Sequence, residues 1–264
     1  PHLGASTEEA QTNVAVEACE LLINFLTTGE IRHAVNVASL DPKSLESLRG
    51  HLNVAYRLGV FLSQWNEGSD KKVRLSFRGE LADKDTKLLR CAFCAGLLEN
   101  ALDEQANIIN AELLLRDRGV DLTSETSSDF GACSSSISAT VHSDDQEFSA
   151  AGTLFGNEMP RLVRLNDFRL EAYLDGELLV FRHADVPGII GAIGTACAKH
   201  GVNIAQMSVG RNAPEAGGMA LGVLNLDSVP PQAAIDEIVA IDNIDSATAV
   251  TLPDANFLPS WLQS

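Results

Sequence analysis

The sequence is short of positive charge. Lys and Arg number 19 against 36 Asp and Glu, giving a formal net charge of -17. A phosphate backbone or an anionic lipid surface would be repelled, so neither nucleic acid nor membrane is expected as a partner. No apolar run is long enough to span a bilayer, and no charged-then-apolar secretory leader opens the chain. Cysteine is sparse, with 5 residues and no small-domain framework of pairs. That odd number argues for reduced thiols and a cytoplasmic setting. No Gly-x-Gly-x-x-Gly occurs, so no dinucleotide cradle is expected within these residues. No two of the His residues have metal-ligand spacing, so no metal is expected.

What is present suits a globular chain. At 264 residues and 45% hydrophobic, it can bury real cores and is expected to hold two compact units behind a leader. The opening Pro1-His2-Leu3-Gly4-Ala5-Ser6-Thr7-Glu8-Glu9 sets a reactive-looking His2 just before a helix. Ser6 with Glu9 fits a capping box, Ser accepting from an orphan N–H and Glu reaching back. The chain has no starting Met, and nothing before His2 could complete an active site, so it reads as the downstream part of a longer protein.

Residues 7–28 read as an amphipathic helix with Ala10, Val14, Ala18, Leu21, Leu22 and Phe25 on one stripe. An extended connector over 31–39 follows. Asp41-Pro42 then starts a second helix, carrying Leu48, Leu52, Ala55, Gly59 and Leu62 on one face, that ends near Trp65. A strand is expected over 72–81 and helices over 83–102 and 107–118. Strands follow at 121–127, 135–143, 147–155, 161–165 and 168–173, with a turn at Asp144-Asp145. Cys91 and Cys94 form Cys-x-x-Cys inside what reads as one buried helix. A redox pair belongs at a helix N-terminus, so core packing is expected instead.

Asp175-Gly176 marks a boundary. Beyond it come a strand at 178–182, a helix opened by Pro187-Gly188 with Ile189, Ile190, Ile193 and Cys197 inward, and a strand at 202–211. A strand at 219–226, a helix from Pro230-Pro231 through Val239 and a strand at 244–252 complete the unit. The order is βαββαβ, the ferredoxin-like split unit, with both helices on one face of an antiparallel sheet. The other face must be covered, often by another copy. The fold class is therefore α+β. The expected divisions are a leader at 1–40, an α+β unit at 41–175, the βαββαβ unit at 176–252 and a tail at 253–264 in which Trp261 could dock.

The richest loop runs His183-Ala184-Asp185-Val186-Pro187-Gly188-Ile189-Ile190. Free N–H groups where the helix starts suit a carboxylate, and Asp185 offers acceptors to an ammonium group. Asn203, in Gly201-Val202-Asn203-Ile204, adds an amide that both donates and accepts. An α-amino acid carries both charges close together and matches the set. Asp185 capping the helix and Asn203 serving as turn chemistry is the simpler alternative. Gly188, Gly191 and Gly194 are spaced by three, as for close helix packing. A basic group, Arg161, Arg164 and Arg169, could bind a phosphate or carboxylate, or could be solvated on strand edges.

Asp-x-Pro-Gly-x-x-x-x-Ile followed by Gly-Val-Asn-Ile resembles the ACT domain, an amino-acid-sensing fold. The whole chain resembles the C-terminal portion of long-form (type 1) D-3-phosphoglycerate dehydrogenases. The likeness is carried by the Pro1–Thr7 segment, Ala34-Val35-Asn36-Val37, Arg78-Gly79-Glu80-Leu81, Asn110-Ala111, Arg118-Gly119-Val120 and Gly152-Thr153-Leu154-Phe155-Gly156. The resemblance implies an NAD-dependent oxidoreductase that converts 3-phosphoglycerate to 3-phosphohydroxypyruvate at the entry to serine biosynthesis. It makes residues 1–40 the end of the catalytic domain, 41–175 an intervening regulatory domain and 176–252 the ACT domain. His2 would be the acid/base of an incomplete site, with NAD bound upstream and none expected on this chain. L-serine would lie at paired ACT domains, held by His183, Asp185, Val186, Pro187, Gly188 and Ile189 of one subunit and Asn203 and Ile204 of its partner. A homo-oligomer through the ACT and intervening domains is implied. The intervening domain of this family is proposed to hold an anion, near Arg161, although Tyr173 stands where some members have Arg. Two other readings are a stand-alone amino-acid sensor and a regulatory part of a serine dehydratase. The dehydratase would need iron–sulfur cysteines, and the five here lack that grouping.

Overall fold

The computed structural model describes residues 4, 6–28, 32–33, 42–66, 68, 70–101, 106–143, 146–156, 158–212, 217–255 and 259. His2, the Ala34–Val37 segment, the Asp144-Asp145 turn and Trp261 lie outside the described residues.

Helix α1 (Glu8–Thr28) begins one residue later than the capping box implies, with Thr7 Oγ1 accepting the Ala10 N–H at 3.2 Å. The expected stripe forms, but the helix buries none of its residues. Leu22 and Leu26 stay 60% and 79% exposed.

The first unit stacks helices on a sheet. Helices α2 (Pro42–Trp65) and α3 (Lys87–Leu98) pack tightly because each carries a glycine at the crossing. A methyl at Gly59 would meet the Phe93 carbonyl oxygen at 2.2 Å, and one at Gly96 the Tyr56 carbonyl oxygen at 2.0 Å. Strands β1 (Asp70–Gly79), β2 (Asp121–Ser127), β3 (Ser135–Ser143), β4 (Gln146–Phe155), β5 (Met159–Leu165) and β6 (Phe168–Tyr173) form a sheet in the order β2-β1-β3-β4-β5-β6. β1 and β2 run parallel, the one pair that needs a crossover; α3 and α4 (Ala111–Asp117) supply it. Alternation fixes the register: Val73, Leu75 and Phe77 pair with Val141, Ala139 and Ile137, all buried under the helices.

Both of these helices are shorter than their apolar patterns imply. Asp85 Oδ1 accepts the Lys87 N–H at 3.0 Å, so α3 starts only at Lys87. Asn107 Oδ1 takes the Ile109 N–H at 2.9 Å and Asn110 Oδ1 takes the Asn107 N–H at 2.8 Å. These local bonds compete with the helix and delay α4 to Ala111.

The second unit is β7 (Glu177–Ala184), α5 (Ile189–Lys199), β8 (Ile204–Arg211), β9 (Met219–Leu226), α6 (Gln232–Val239) and β10 (Ile244–Thr251). Its sheet is antiparallel throughout, in the order β10-β7-β9-β8. β8 begins at Ile204 rather than Val202, because the Val202 N–H closes α5 on the Cys197 carbonyl at 2.9 Å, past a left-handed Gly201. Leu179, Phe181, Leu224 and Leu226 pack against Ile189, Ile193, Cys197 and Ile238 of the helices. Ile190 points outward at 36% exposed. Gly191 and Gly194 also have open space where a side chain would go, so no close helix contact among the described residues explains their spacing.

The other face of this sheet is covered by the chain itself, not left for another copy. Leu178, Val180, Leu221, Val223, Val250 and Leu252 join the core of the first unit. β8 lies along β6: Ser208 Oγ accepts the Glu171 N–H at 3.0 Å, and a methyl on Gly210 would strike the Arg169 carbonyl. Gln64 of α2 pairs its amide with both the N–H and the carbonyl of Thr251.

Candidate functional site

At one end of the second sheet, β7 delivers His183 and turns into α5. His183 is 2% exposed and stacks on Phe181, with ring centroids 5.4 Å apart. Phe181 can lie flat there because Gly222 opposite has no side chain; a methyl would fall 2.0 Å from the ring. His183 Nδ1 lies 2.7 Å from the Ala184 carbonyl oxygen. A carbonyl cannot donate, so Nδ1 carries a proton there and Nε2 is the ring nitrogen left for another group. That Nε2 is buried and has no partner among the described residues.

The following loop holds Asp185 by its N–H, which donates to the Gly218 carbonyl at 2.8 Å. Asp185 does not cap α5. The N-cap is Gly188, at φ 99°, where a side chain would be strained, and among the described residues no side-chain cap bond is made there. The helix start is thus open to an anion, with Val186 and Pro187 leading into it and Ile189 anchoring it in the core.

The Asp185 carboxylate meets Arg211, the last residue of β8. Arg211 Nε lies 2.8 Å from Oδ2 and Nη2 donates to Oδ1 at 3.2 Å. Sequence reasoning missed this pairing. The strand register holds the signal: His183 and Arg211 both pair with Ala220 of β9, from opposite sides. Paired residues share a face, so the two side chains stand on the helix side of the sheet about 10 Å apart at the backbone, over a methyl group.

Asn203 is elsewhere. Its Nδ2 donates to Asp227 Oδ2 at 2.6 Å, and Ile204 beside it pairs with Leu226. Leu226 is six residues along β9 from Ala220, about 20 Å at a strand's rise. One chain therefore does not bring Asn203 and Ile204 to the His183–Ile189 loop.

The basic group is split by a bulge. The β5–β6 register shifts between Leu162 and Arg164, so Arg161 and Arg164 both leave the core while Leu162 and Leu165 stay in it. Arg164 pairs with Arg169 and both are exposed. Arg161 is not a solvated edge residue. It is 8% exposed, its guanidinium lies 4.1 Å from the Tyr173 ring centroid and its Nε 3.6 Å from Glu171. Among the described residues, no group of three or more His, Cys, Asp or Glu side chains gathers as a metal site. Cys91 and Cys94 are buried in α3, and burial pushes the Cys91 thiol up to about 11 and Cys94 higher still.

Known proteins decide the family. Residues 47–166 match the D-3-phosphoglycerate dehydrogenase intervening domain and residues 177–243 match the ACT domain. The chain carries an intervening domain of the D-3-phosphoglycerate dehydrogenase type followed by an ACT domain. It is 35% identical over 253 residues to D-3-phosphoglycerate dehydrogenase of Synechocystis sp., covering 96% of this chain and 45% of that protein. It is 32% identical over 252 residues to the enzymes of that name in Archaeoglobus fulgidus and Methanocaldococcus jannaschii, again 96% of this chain but 48% and 47% of theirs. The chain thus spans about half the length of the curated relatives it matches. The first unit is the intervening domain, and the His183–Ile189 loop and Asn203 belong to the ACT domain. No helix among the described residues is long and apolar enough to cross a membrane. With no Gly-x-Gly-x-x-Gly in the sequence, these residues do not fit an NAD cradle.

Proposed function

We propose that this chain is the regulatory C-terminal portion of a cytoplasmic, NAD-dependent D-3-phosphoglycerate dehydrogenase, which oxidises 3-phosphoglycerate to 3-phosphohydroxypyruvate on the way to L-serine. His2 belongs to the catalytic part and is idle in this chain, which by itself oxidises no 3-phosphoglycerate. The ACT domain binds L-serine between two copies. His183, Asp185 and the Val186–Ile189 turn come from one copy, and Asn203 with Ile204 from the other. The observation that carries this reading is the buried Nε2 of His183, unpaired among the described residues, next to a carboxylate and an uncapped helix start. An ammonium group, a hydroxyl and a carboxylate find complementary partners there. The separation of Asn203 from that loop within one chain also favours a site shared by two copies.

Feedback follows from linkage. Serine stabilises one arrangement of subunits, and any ligand of the catalytic part that binds the two arrangements unequally must change serine affinity by the same factor that serine changes its own. The covered ACT face gives the path, since any shift of that sheet is felt directly by α2 and β6 of the intervening domain. Arg164 and Arg169, with Arg161 behind them, form the candidate anion site of that domain.

A titration of this chain with L-serine, followed by thermal melting, tests the proposal. At a hundred times the dissociation constant a native-state ligand adds about 2.7 kcal/mol, so the midpoint climbs with concentration. A midpoint indifferent to L-serine overturns the assignment.

A further inference from the structure

Arg211 is the charged group of this site that the effector set above leaves out. It ends β8, flanks Ala220 opposite His183, and pairs with Asp185, Nη2 donating to Oδ1 at 3.2 Å and Nε standing 2.8 Å from Oδ2, which has no hydrogen-bond partner among the described residues. Asp185 has a side chain only 15% exposed, whereas that of Arg211 is 50% exposed. The carboxylate is thus fixed in the wall and the guanidinium is free to turn outward. We infer that Arg211 is the selectivity residue of the ACT site: it holds Asp185 until a ligand arrives, then takes up the carboxylate of a zwitterionic amino acid while Asp185 receives the ammonium group. The inference rests on the amino-acid reading above and names how that site chooses its ligand.

The reasoning is electrostatic. Asp185 and Arg211 together are neutral. A simple amine bound to Asp185 would leave its ammonium beside the displaced guanidinium, two like charges in one partly covered cleft. A zwitterion restores alternation, with Asp185 against ammonium and ligand carboxylate against Arg211 and the α5 amides. A planar guanidinium suits a carboxylate through two parallel N–H bonds. Specificity here comes as much from the repulsion of the wrong ligand as from attraction of the right one. His183 Nε2, buried and unpaired among the described residues, remains for the ligand's hydroxyl, which can donate or accept.

Calorimetry on the full chain decides the matter with two probes, L-serine and ethanolamine, the latter being serine without its carboxylate. The wild-type chain is expected to prefer L-serine by about tenfold or more. In Arg211→Met the preference collapses, because serine loses its partner and ethanolamine meets an unpaired Asp185. Arg211→Lys retains a positive charge and keeps a preference between the two. Circular dichroism verifies that the variants fold. A wild-type ratio retained in Arg211→Met overturns the role of Arg211 while leaving the amino-acid site standing. A wild-type chain that binds no L-serine removes that site, and this inference with it.

Discussion

The Arg57 guanidinium, on α2 in the core of the intervening domain, donates to the Leu174 carbonyl at 3.1 Å, at the exit of β6. The same fully buried group donates to the carbonyls of Pro253 and Asp254, just past the last ACT strand, and Nε donates to Asn53. One side chain therefore ties the entry and the exit of the ACT domain to a single helix. Burial pushes Arg57 downward, and the nearby Asp175 carboxylate opposes this; burial raises Asp175, and Arg57 opposes that in turn. Arg57→Met strands the three carbonyls in the interior. The expected loss is about 3 kcal/mol or more in denaturant unfolding. Proteolysis should then open the 174–177 junction first. A variant as stable as the wild type would show that the clasp is dispensable.

Asp185→Ala removes the carboxylate and frees Arg211. Because Asp185 is not the helix cap, the fold is expected to survive, with stability within about 0.5 kcal/mol. L-serine affinity should drop by about tenfold or more, as for loss of a charged hydrogen bond. Unchanged affinity by calorimetry would remove Asp185 from the site.

The thiols should separate by burial. Cys19 is exposed, whereas Cys91, Cys94 and Cys197 are buried. A disulfide reagent added to the native protein is expected to modify Cys19 at once and to leave Cys91 and Cys94 untouched until unfolding, as read by peptide mass mapping. The raised Cys91 and Cys94 thiols stay protonated at neutral pH and are poor nucleophiles. Fast formation of a Cys91–Cys94 disulfide in the native state would contradict core packing.

His51 gives a pH signature. Its Nε2 bonds to Ser135 Oγ at 2.8 Å and its Nδ1 is buried. Burial lowers its proton affinity below the ordinary 6.5, with Glu80 opposing and Lys84 reinforcing the shift. Above 6.5 both folded and unfolded forms are neutral there, and the group has no effect. Below 6.5 the unfolded chain takes up the proton first, so stability falls as the pH falls. Melting curves from pH 7.5 to 5 should lose less stability in His51→Gln than in the wild type. Parallel curves would mean that His51 does not titrate between those limits.

Periodicity was enough to read most of the elements. β3 alternates because every second residue is apolar, and the βαββαβ order follows from where glycine and proline interrupt the runs. Errors fell where a side chain bonds its own backbone, at Asp85, Asn107 and Asn110, since apolar spacing carries no record of such a bond. Ile190 stands about 100° round the helix from Ile189, at the edge of the inward stripe, and is left 36% exposed. The His183–Ile189 loop was legible as a motif. Arg211 was not, because it lies 26 residues from Asp185 and meets it only through a strand between them.

The sequence alone determined most of the elements and their βαββαβ order, because hydrophobic period and turn residues are local properties of the chain. Tertiary structure alone decided what covers the second ACT face, which cation holds Asp185 and how far Asn203 stands from His183. Those depend on strand order and register, through which residues distant in sequence become neighbours or remain about 20 Å apart.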